Sequence, residues 1–323
     1  MHPRPPDDAV ETLIASLGGS FRLDAEVSGS PLAELLERTV REAAASEPVI
    51  FGTPGDAGEL HSTSQGPTHF FYRPHLFPGM DPSLRLGHMV QVHLLPRELP
   101  PDSPVEAAAM LESYCHLSGD LFGWQATGDG GLTLWLLDVS GHGIRAGFAA
   151  VVLKLLLAEI DTGQGLSELA IELERRFLAI RHADDRACLY ATGVLLRISG
   201  DGSVTYLSAG HPPMLLRRAD GSIERLGATT VPLALLPELD AAEASSQLRP
   251  GDGLLAYSDG LLELARTDGE AFGLDRVADV FGCTDGRPTR VLADLAGAIA
   301  SFHDLSRLDD DLTFIALRRR DTK

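Results

Sequence analysis

Basic residues are scarce in this chain: Lys and Arg number 27 against 46 Asp and Glu, a formal net charge of −19. With so few cations to neutralise phosphates, nucleic acid and anionic membrane are poor partners. A solvated acidic surface and a cation site fit the balance better. Cysteine is nearly absent too. Cys115, Cys188 and Cys283 stand far apart in no C-x-x-C spacing, and read as buried or incidental thiols of a reducing compartment. Long apolar runs are missing: "AGFAAVVLKLLLAEI" is too short for a bilayer and is interrupted by Lys154. The opening "MHPRPPDDAV" lacks the basic-then-apolar pattern of a signal peptide, so the expected location is the cytoplasm. There is no internal repeat, no long low-complexity segment and no G-x-S-x-G elbow for a catalytic serine.

What is present is a globular composition. The 323 residues are 44 % hydrophobic and 23 % charged, enough for one large domain or two smaller ones. "SPLAELLERTVREAAAS" predicts a helix, with Ser30 as N-cap, Pro31 in the first turn and Leu32, Leu35, Leu36 and Val40 on one face. "EPVIFGT" and "THFFYRPHLF" predict strands. This first part, to about residue 90, carries no recognisable chemistry. After the Pro-rich "RELPPDSP" the pattern becomes strand-dominated: "VEAAAMLES" and "GLTLWLLDVS" read as strands flanking a loop. Helices follow from Ala146 to Ile160 and over "LSELAIELERRFLAIRH". A meander of short strands comes next, then the strand "DGLLAYSDG", the helical "RVLADLAGAIASFH" and a final strand after "DDD". Strands, two helices and strands again predict an α+β sandwich with sheets inside and helices outside.

Four acids share one setting beside glycines or strand ends: Asp120 in "LSGD", Asp138 in "LLDVSGHG", Asp259 in "AYSDG" and Asp310 in "DDDLTF". Strand ends far apart in sequence converge at one sheet edge. Carboxylates brought together there repel, and several would stay protonated unless cations intervene. A divalent pair removes the conflict, and an all-oxygen set favours Mg²⁺ or Mn²⁺. The bland alternative is local, since Asp-Gly is ordinary turn chemistry, and "GDGG", "GDGS" and "ADGS" read as hairpins.

The successive segments "LSGDLF", "DVSGHGIRAGF", "YLSAGHPPMLL", "LRPGDGLLAYSDGLLE", "FG" at Phe272–Gly273 and "DDDLTFIAL" resemble the motifs of the metal-dependent (PPM-type) protein phosphatases. More narrowly, they resemble the SpoIIE-like bacterial serine phosphatases. The resemblance covers about residues 90 to 319. It implies a β-sandwich of two sheets flanked by helices over residues 91–323, preceded by a regulatory or sensory segment over residues 1–90. It also implies a two-metal site in which Asp138 bridges both ions, Asp120 and the Val139 carbonyl serve one side, and Asp259 and Asp310 hold the other. Asp309 and Asp311 leave the register of the last ligand open.

Two divalent cations, Mn²⁺ or Mg²⁺, would deliver a hydroxide for in-line attack on phosphorus. Ser118, Ser140 and Ser258 then read as small neighbours of the metal loops. His142 is the titratable group nearest in sequence for protonating a leaving alkoxide, or else a loop hydrogen-bonder. Arg145, at the start of the helix, would meet the phosphate or form a surface ion pair. His211 reads as a turn residue. Where relatives carry G-G-D-[FY]-[YF]-D, this chain has Gly123 in place of the last acid, which implies one weakened metal site.

By the same resemblance the substrate is a phosphorylated anti-sigma-factor antagonist of a partner-switching pathway. A partner-sensing module without turnover and a small-molecule phosphoesterase are the alternatives, and a homodimer stays open.

Overall fold

The computed structural model describes residues 38–39, 68–73, 81–96, 98–180, 189–304 and 307–320. The helix expected over residues 30–46 falls outside them apart from Arg38 and Thr39, as do the strand expected at "EPVIFGT" and Cys188. Two sheets face one another. The first holds β1 (Thr68–Arg73), β2 (Val105–Glu112), β11 (Leu312–Arg319), β10 (Gly253–Tyr257), β7 (Met214–Arg217) and β8 (Ile223–Leu226) in that order. The second holds β3 (Asp120–Ala126), β4 (Leu132–Val139), β5 (Ala191–Ile198), β6 (Ser203–Ala209) and β9 (Ala244–Gln247). Neighbours are antiparallel except β1, which adds to β2 in parallel.

Alternation assigns the faces. Phe122 and Trp124 of β3, Leu132, Leu134 and Leu136 of β4, Val194, Leu196 and Ile198 of β5 point inward. They meet Leu254 and Ala256 of β10 and Ile315 and Leu317 of β11 in a closed inter-sheet core. Helices cover both outer faces. On the five-stranded side lie α1 (Pro82–Leu94), α2 (Ile144–Glu159) and α3 (Leu166–Ile180); on the six-stranded side lie α4 (Asp259–Glu263), α5 (Gly273–Cys283) and α6 (Pro288–Phe302). Helix α2 is apolar nearly all round because it is enclosed, with every residue from Ala146 to Leu153 buried. Among the described residues no helix is long and apolar enough to cross a membrane.

The sandwich matches the expected class, while four details differ. The loop expected between "VEAAAMLES" and "GLTLWLLDVS" contains a full strand, β3. The segment after Phe272 forms α5, and the polar "ASSQ" forms the edge strand β9. The break expected between residues 90 and 91 falls inside α1, whose Leu86 and Val90 are buried in the same core as α2 and β4. The physical reason is that α1 needs both ends of its apolar stripe to cover this sheet.

A fragment starting at residue 91 discards β1 and those two side chains, worth together about 3–6 kcal/mol of burial. It is expected to unfold at a clearly lower urea midpoint than a fragment starting at residue 68. Equal midpoints would show that α1 adds nothing to the core.

Candidate functional site: a carboxylate cluster between the sheets

Asp120 opens β3 and Asp138 lies one residue from the end of β4; the two are direct cross-strand partners. By alternation both project to the inter-sheet side, in line with Phe122 and Leu136, with Cβ atoms about 4.5–5.5 Å apart. The opposing sheet supplies the other half. Its last inward positions at this edge are Ser258 after β10 and Thr313 and Asp311 at the start of β11, with Asp259 opening α4 beside them. The Asp259 carboxyl comes within hydrogen-bonding reach of Asp138, and Asp310 is close enough to act on both. The four predicted acids therefore meet.

Two glycines make this approach feasible. A Cβ at Gly119 would stand 3.0 Å from the Val139 carbonyl oxygen, and a Cβ at Gly260 would collide with the Asp311 carbonyl. Val139 itself points its side chain into the helix-side core and leaves only its backbone for the site.

The electrostatics are those of a site with excess negative charge. Burial first, then Asp120, Asp259 and Asp310, push the Asp138 carboxyl far above the usual carboxylate range. Asp120 is 3 % exposed and is raised by burial and by Asp311. Both its oxygens are buried without a hydrogen bond of good geometry, although the Thr313 and Ser258 hydroxyls face them. Asp310 is also raised, by burial and by Asp259.

The three consecutive acids separate cleanly. Asp309 is exposed. Asp310 faces the cluster. Asp311 accepts hydrogen bonds from the backbone N–H groups of Tyr114 (2.7 Å) and Gly119 (2.6 Å), so it clamps the loop that delivers Asp120. Burial still lifts its pKa to about 6.

His142 is exposed on the "SGHG" turn between Gly141 (φ 82°) and Gly143 (φ 79°), both left-handed. Its ring packs edge-on against Tyr114 at 4.8 Å between centroids, near enough to Asp310 to favour that carboxylate. Arg145 is exposed in the first turn of α2, beside the same loop. Ser140 is a loop neighbour as expected: its hydroxyl accepts from the Tyr190 N–H at 3.1 Å.

Sequence reasoning missed Gln91. From α1 its amide accepts from Ser118 N–H (3.0 Å) and donates to the carbonyls of Ser118 (2.7 Å) and Gly147 (3.1 Å), tying α1 to the Asp120 loop and to α2. A lone glutamine on a helix carries no signal of such a role. Tyr114 and the clamping function of Asp311 were equally silent.

Gly123 requires a correction. Three residues along β3 from Asp120, it faces the opposite side of the sheet, about 10 Å away. A Cβ there would stand 2.7 Å from the Trp135 ring and against the Lys154 ammonium, which donates to the Phe122 carbonyl at 3.1 Å. An acid at this position would meet Lys154 in the helix layer, not a cation held by Asp120.

Among the described residues no three His, Cys, Asp or Glu side chains form a ready metal cage. The donor chemistry nonetheless fits divalent cations: all-oxygen groups, orphaned Asp120 oxygens, and the Asp138 and Asp259 carboxyls within hydrogen-bonding reach of one another.

The architecture defines the class: a two-sheet sandwich between helical layers, as in the SiaA-PP2C domain of Pseudomonas aeruginosa. That structure superposes with a TM-score of 0.62 at 17 % identity, over 73 % of this chain and 95 % of that one. The model of the stage II sporulation protein E (SpoIIE) family matches residues 128–320, more than half of the chain. The chain belongs to the SpoIIE family. The phosphoserine phosphatase RsbP of Bacillus subtilis is 30 % identical over 183 residues, 56 % of this chain, which spans only 45 % of that protein. The RsbU and RsbW domains of a Mycobacterium tuberculosis protein share 26 % identity at a TM-score of 0.57, covering 68 % of this chain and 64 % of theirs.

Two outcomes are expected. Gly123→Ala should cost about 1–3 kcal/mol by crowding Trp135, while leaving Mn²⁺ affinity in calorimetric titration unchanged. A shifted affinity would tie position 123 to the cations after all. In EDTA, stability should fall as pH rises from about 4 through 6 and beyond, because the folded carboxyls hold protons that the unfolded chain has already released. Asp138→Asn should therefore raise the metal-free melting temperature at pH 8 by several degrees and change it little at pH 4. A uniform effect at both values would contradict the raised pKa.

Proposed function

We propose that this chain is a metal-dependent phosphoprotein phosphatase that hydrolyses phosphoserine or phosphothreonine. The contact between Asp138 and Asp259, from opposite sheets and with Asp120 and Asp310 beside them, carries this reading. The similarity to the phosphoserine phosphatase RsbP supports it from the side of sequence. In this reading Asp138, Asp120 and the Val139 carbonyl, with Asp259 and Asp310, would hold two divalent cations, Mn²⁺ or Mg²⁺. Cations so held lower the pKa of bound water and offset charge on phosphoryl oxygens.

The chain's own groups do the rest. Asp311 fixes the Asp120 loop through two backbone N–H groups, so the carboxylate has a defined position before any ligand arrives. The left-handed glycines hold His142 outward at the rim, where its ring can give a proton to the departing serine alkoxide. The first turn of α2 has no side-chain cap on its backbone N–H groups, and Arg145 adds a guanidinium for the phosphate oxygens. No serine nucleophile is invoked: the Ser258 hydroxyl accepts from the Thr313 N–H at 2.9 Å, a structural role between β10 and β11. The substrate in this reading is a small phosphorylated anti-sigma-factor antagonist of a partner-switching pathway.

The test is hydrolysis of a phosphoserine peptide with added Mn²⁺, compared with p-nitrophenyl phosphate. Activity is expected to vanish in EDTA and to fall at least a hundredfold in Asp138→Asn. Full activity in either case would sink the metal reading. His142→Ala should slow the peptide at least tenfold more than p-nitrophenyl phosphate, whose leaving group needs little protonation. Equal losses on both would remove the proton donor.

A further inference from the structure

His211 follows β6 in the turn "AGHPP", and it does not behave as a turn residue. Gly210 is left-handed (φ 59°) and packs so close to the Pro232 ring that a Cβ would strike it. The His211 ring is only 4 % exposed. Its Nδ1 lies 3.0 Å from the Thr192 hydroxyl. Thr192 is the direct cross-strand partner of Asp138. Both residues occupy inward positions, in line with Val194 and Leu196 on β5 and Leu134 and Leu136 on β4, so the two side chains are neighbours on one face with Cβ atoms about 4.5–5.5 Å apart.

On its other side the ring meets the opposing sheet. Nε2 is buried without a hydrogen bond of good geometry, and the Tyr257 carbonyl faces the ring. Tyr257 ends β10, two residues before Asp259. Its hydroxyl donates to the Pro213 carbonyl at 2.5 Å, so Tyr257 holds the same turn. Burial keeps the imidazole neutral, with its pKa pulled down to about 4, so it can accept from Thr192 at Nδ1 and donate from Nε2.

We propose that His211 is a positioning residue for the carboxylate cluster: it orients the Thr192 hydroxyl beside Asp138 and ties the start of β5 to the end of β10. It thereby sets the separation between the acids of one sheet and those of the other. A cation shared by Asp138 and Asp259 is sensitive to that separation, because oxygen donors must stand about 2.0–2.6 Å from the ion. The inference rests on the metal reading of the cluster and adds to it a residue outside the ligand set. A buried histidine with a purely structural role would instead contribute to stability alone.

The test measures Mn²⁺ binding by calorimetry, melting temperature, and kcat and KM on a phosphoserine peptide for five variants of the whole chain. Asp138→Asn is the reference, and must lose Mn²⁺ binding. If it binds Mn²⁺ like the wild type, the metal reading fails and this proposal falls with it. Given that loss, His211→Leu is expected to bind Mn²⁺ at least tenfold more weakly and to lose kcat with KM unchanged. Thr192→Val, which keeps the shape of the side chain, should reproduce most of that loss, and the double variant should be no worse than His211→Leu. His211→Asn, whose amide reaches as far as Nδ1, should recover Mn²⁺ affinity to within about threefold. Wild-type affinity in a folded Thr192→Val, or an Asn variant no better than Leu at matched melting temperature, overturns the positioning role while leaving the metal reading intact. Should His211→Leu not fold, Thr192→Val and His211→Asn decide alone.

Discussion

Carboxyl groups from two facing sheets are pressed together at one edge of this molecule, and most of the local structure is arranged around that conflict. Each buried carboxyl disfavours ionisation of the next, and burial strengthens the effect by excluding water. The Asp259 carboxyl lies within hydrogen-bonding reach of Asp138, while Asp120 has two buried oxygens and no well-formed hydrogen bond. Such an arrangement survives only where the backbone is held by something stronger. Here the long antiparallel ladders β3–β4–β5 and β2–β11–β10 end at the cluster, each backed by a closed apolar layer. The acids are therefore strained in charge, not in backbone.

Hydrogen bonds around the cluster set its dimensions. Asp311 spends its charge on the N–H groups of Tyr114 and Gly119, and so fastens the loop before β3 to the start of β11. Ser258 and Thr313 close the gap between β10 and β11, and Gln91 fastens the same Asp120 loop to α1. These contacts distribute the cost of the cluster over both sheets and over the helix that precedes β2. For that reason α1 and the sandwich are one mechanical unit, wherever a regulatory segment is taken to begin.

The parts of this design that could be read from the chain were those in which residue type and local pattern agree. Asp138 stood out because an apolar strand ended in an acid and then in two glycines flanking a histidine. Strand β3 did not, since Asp120 to Trp124 are all buried and leave no alternation to recognise. Helix α5 did not either, although its pattern is regular: Val277 and Phe281 are buried, and Leu274, Ala278 and Val280 pack beside them on the same core. Asp310 and Asp311 are neighbours of identical type, and nothing in the chain separates the one facing the cluster from the one clamping a loop; backbone partners 197 and 192 residues away decide it. His211 was legible as a turn residue, but the direction of its ring depends on Thr192 and on a strand from the other sheet.

Position 123 shows how a two-residue period governs electrostatics as well as packing. Counting three residues from Asp120 suggests proximity; the pleat sends the two side chains to opposite faces. The inter-sheet face of β3 carries the buried acid. Its helix-facing side receives Lys154, drawn over the Trp135 ring at 4.7 Å to the centroid, its pKa pulled down to about 7 by burial. Between them runs a strand whose Phe122 carbonyl accepts from the ammonium, so the amine satisfies itself on the backbone without crossing to the acids. Had the amine shared a face with Asp120, it would have neutralised the carboxylate and removed the excess negative charge that suits the cluster to cations. The sheet acts here as an insulator: it lets a chain of net charge −19 keep a buried base and its buried acids within one fold without pairing them.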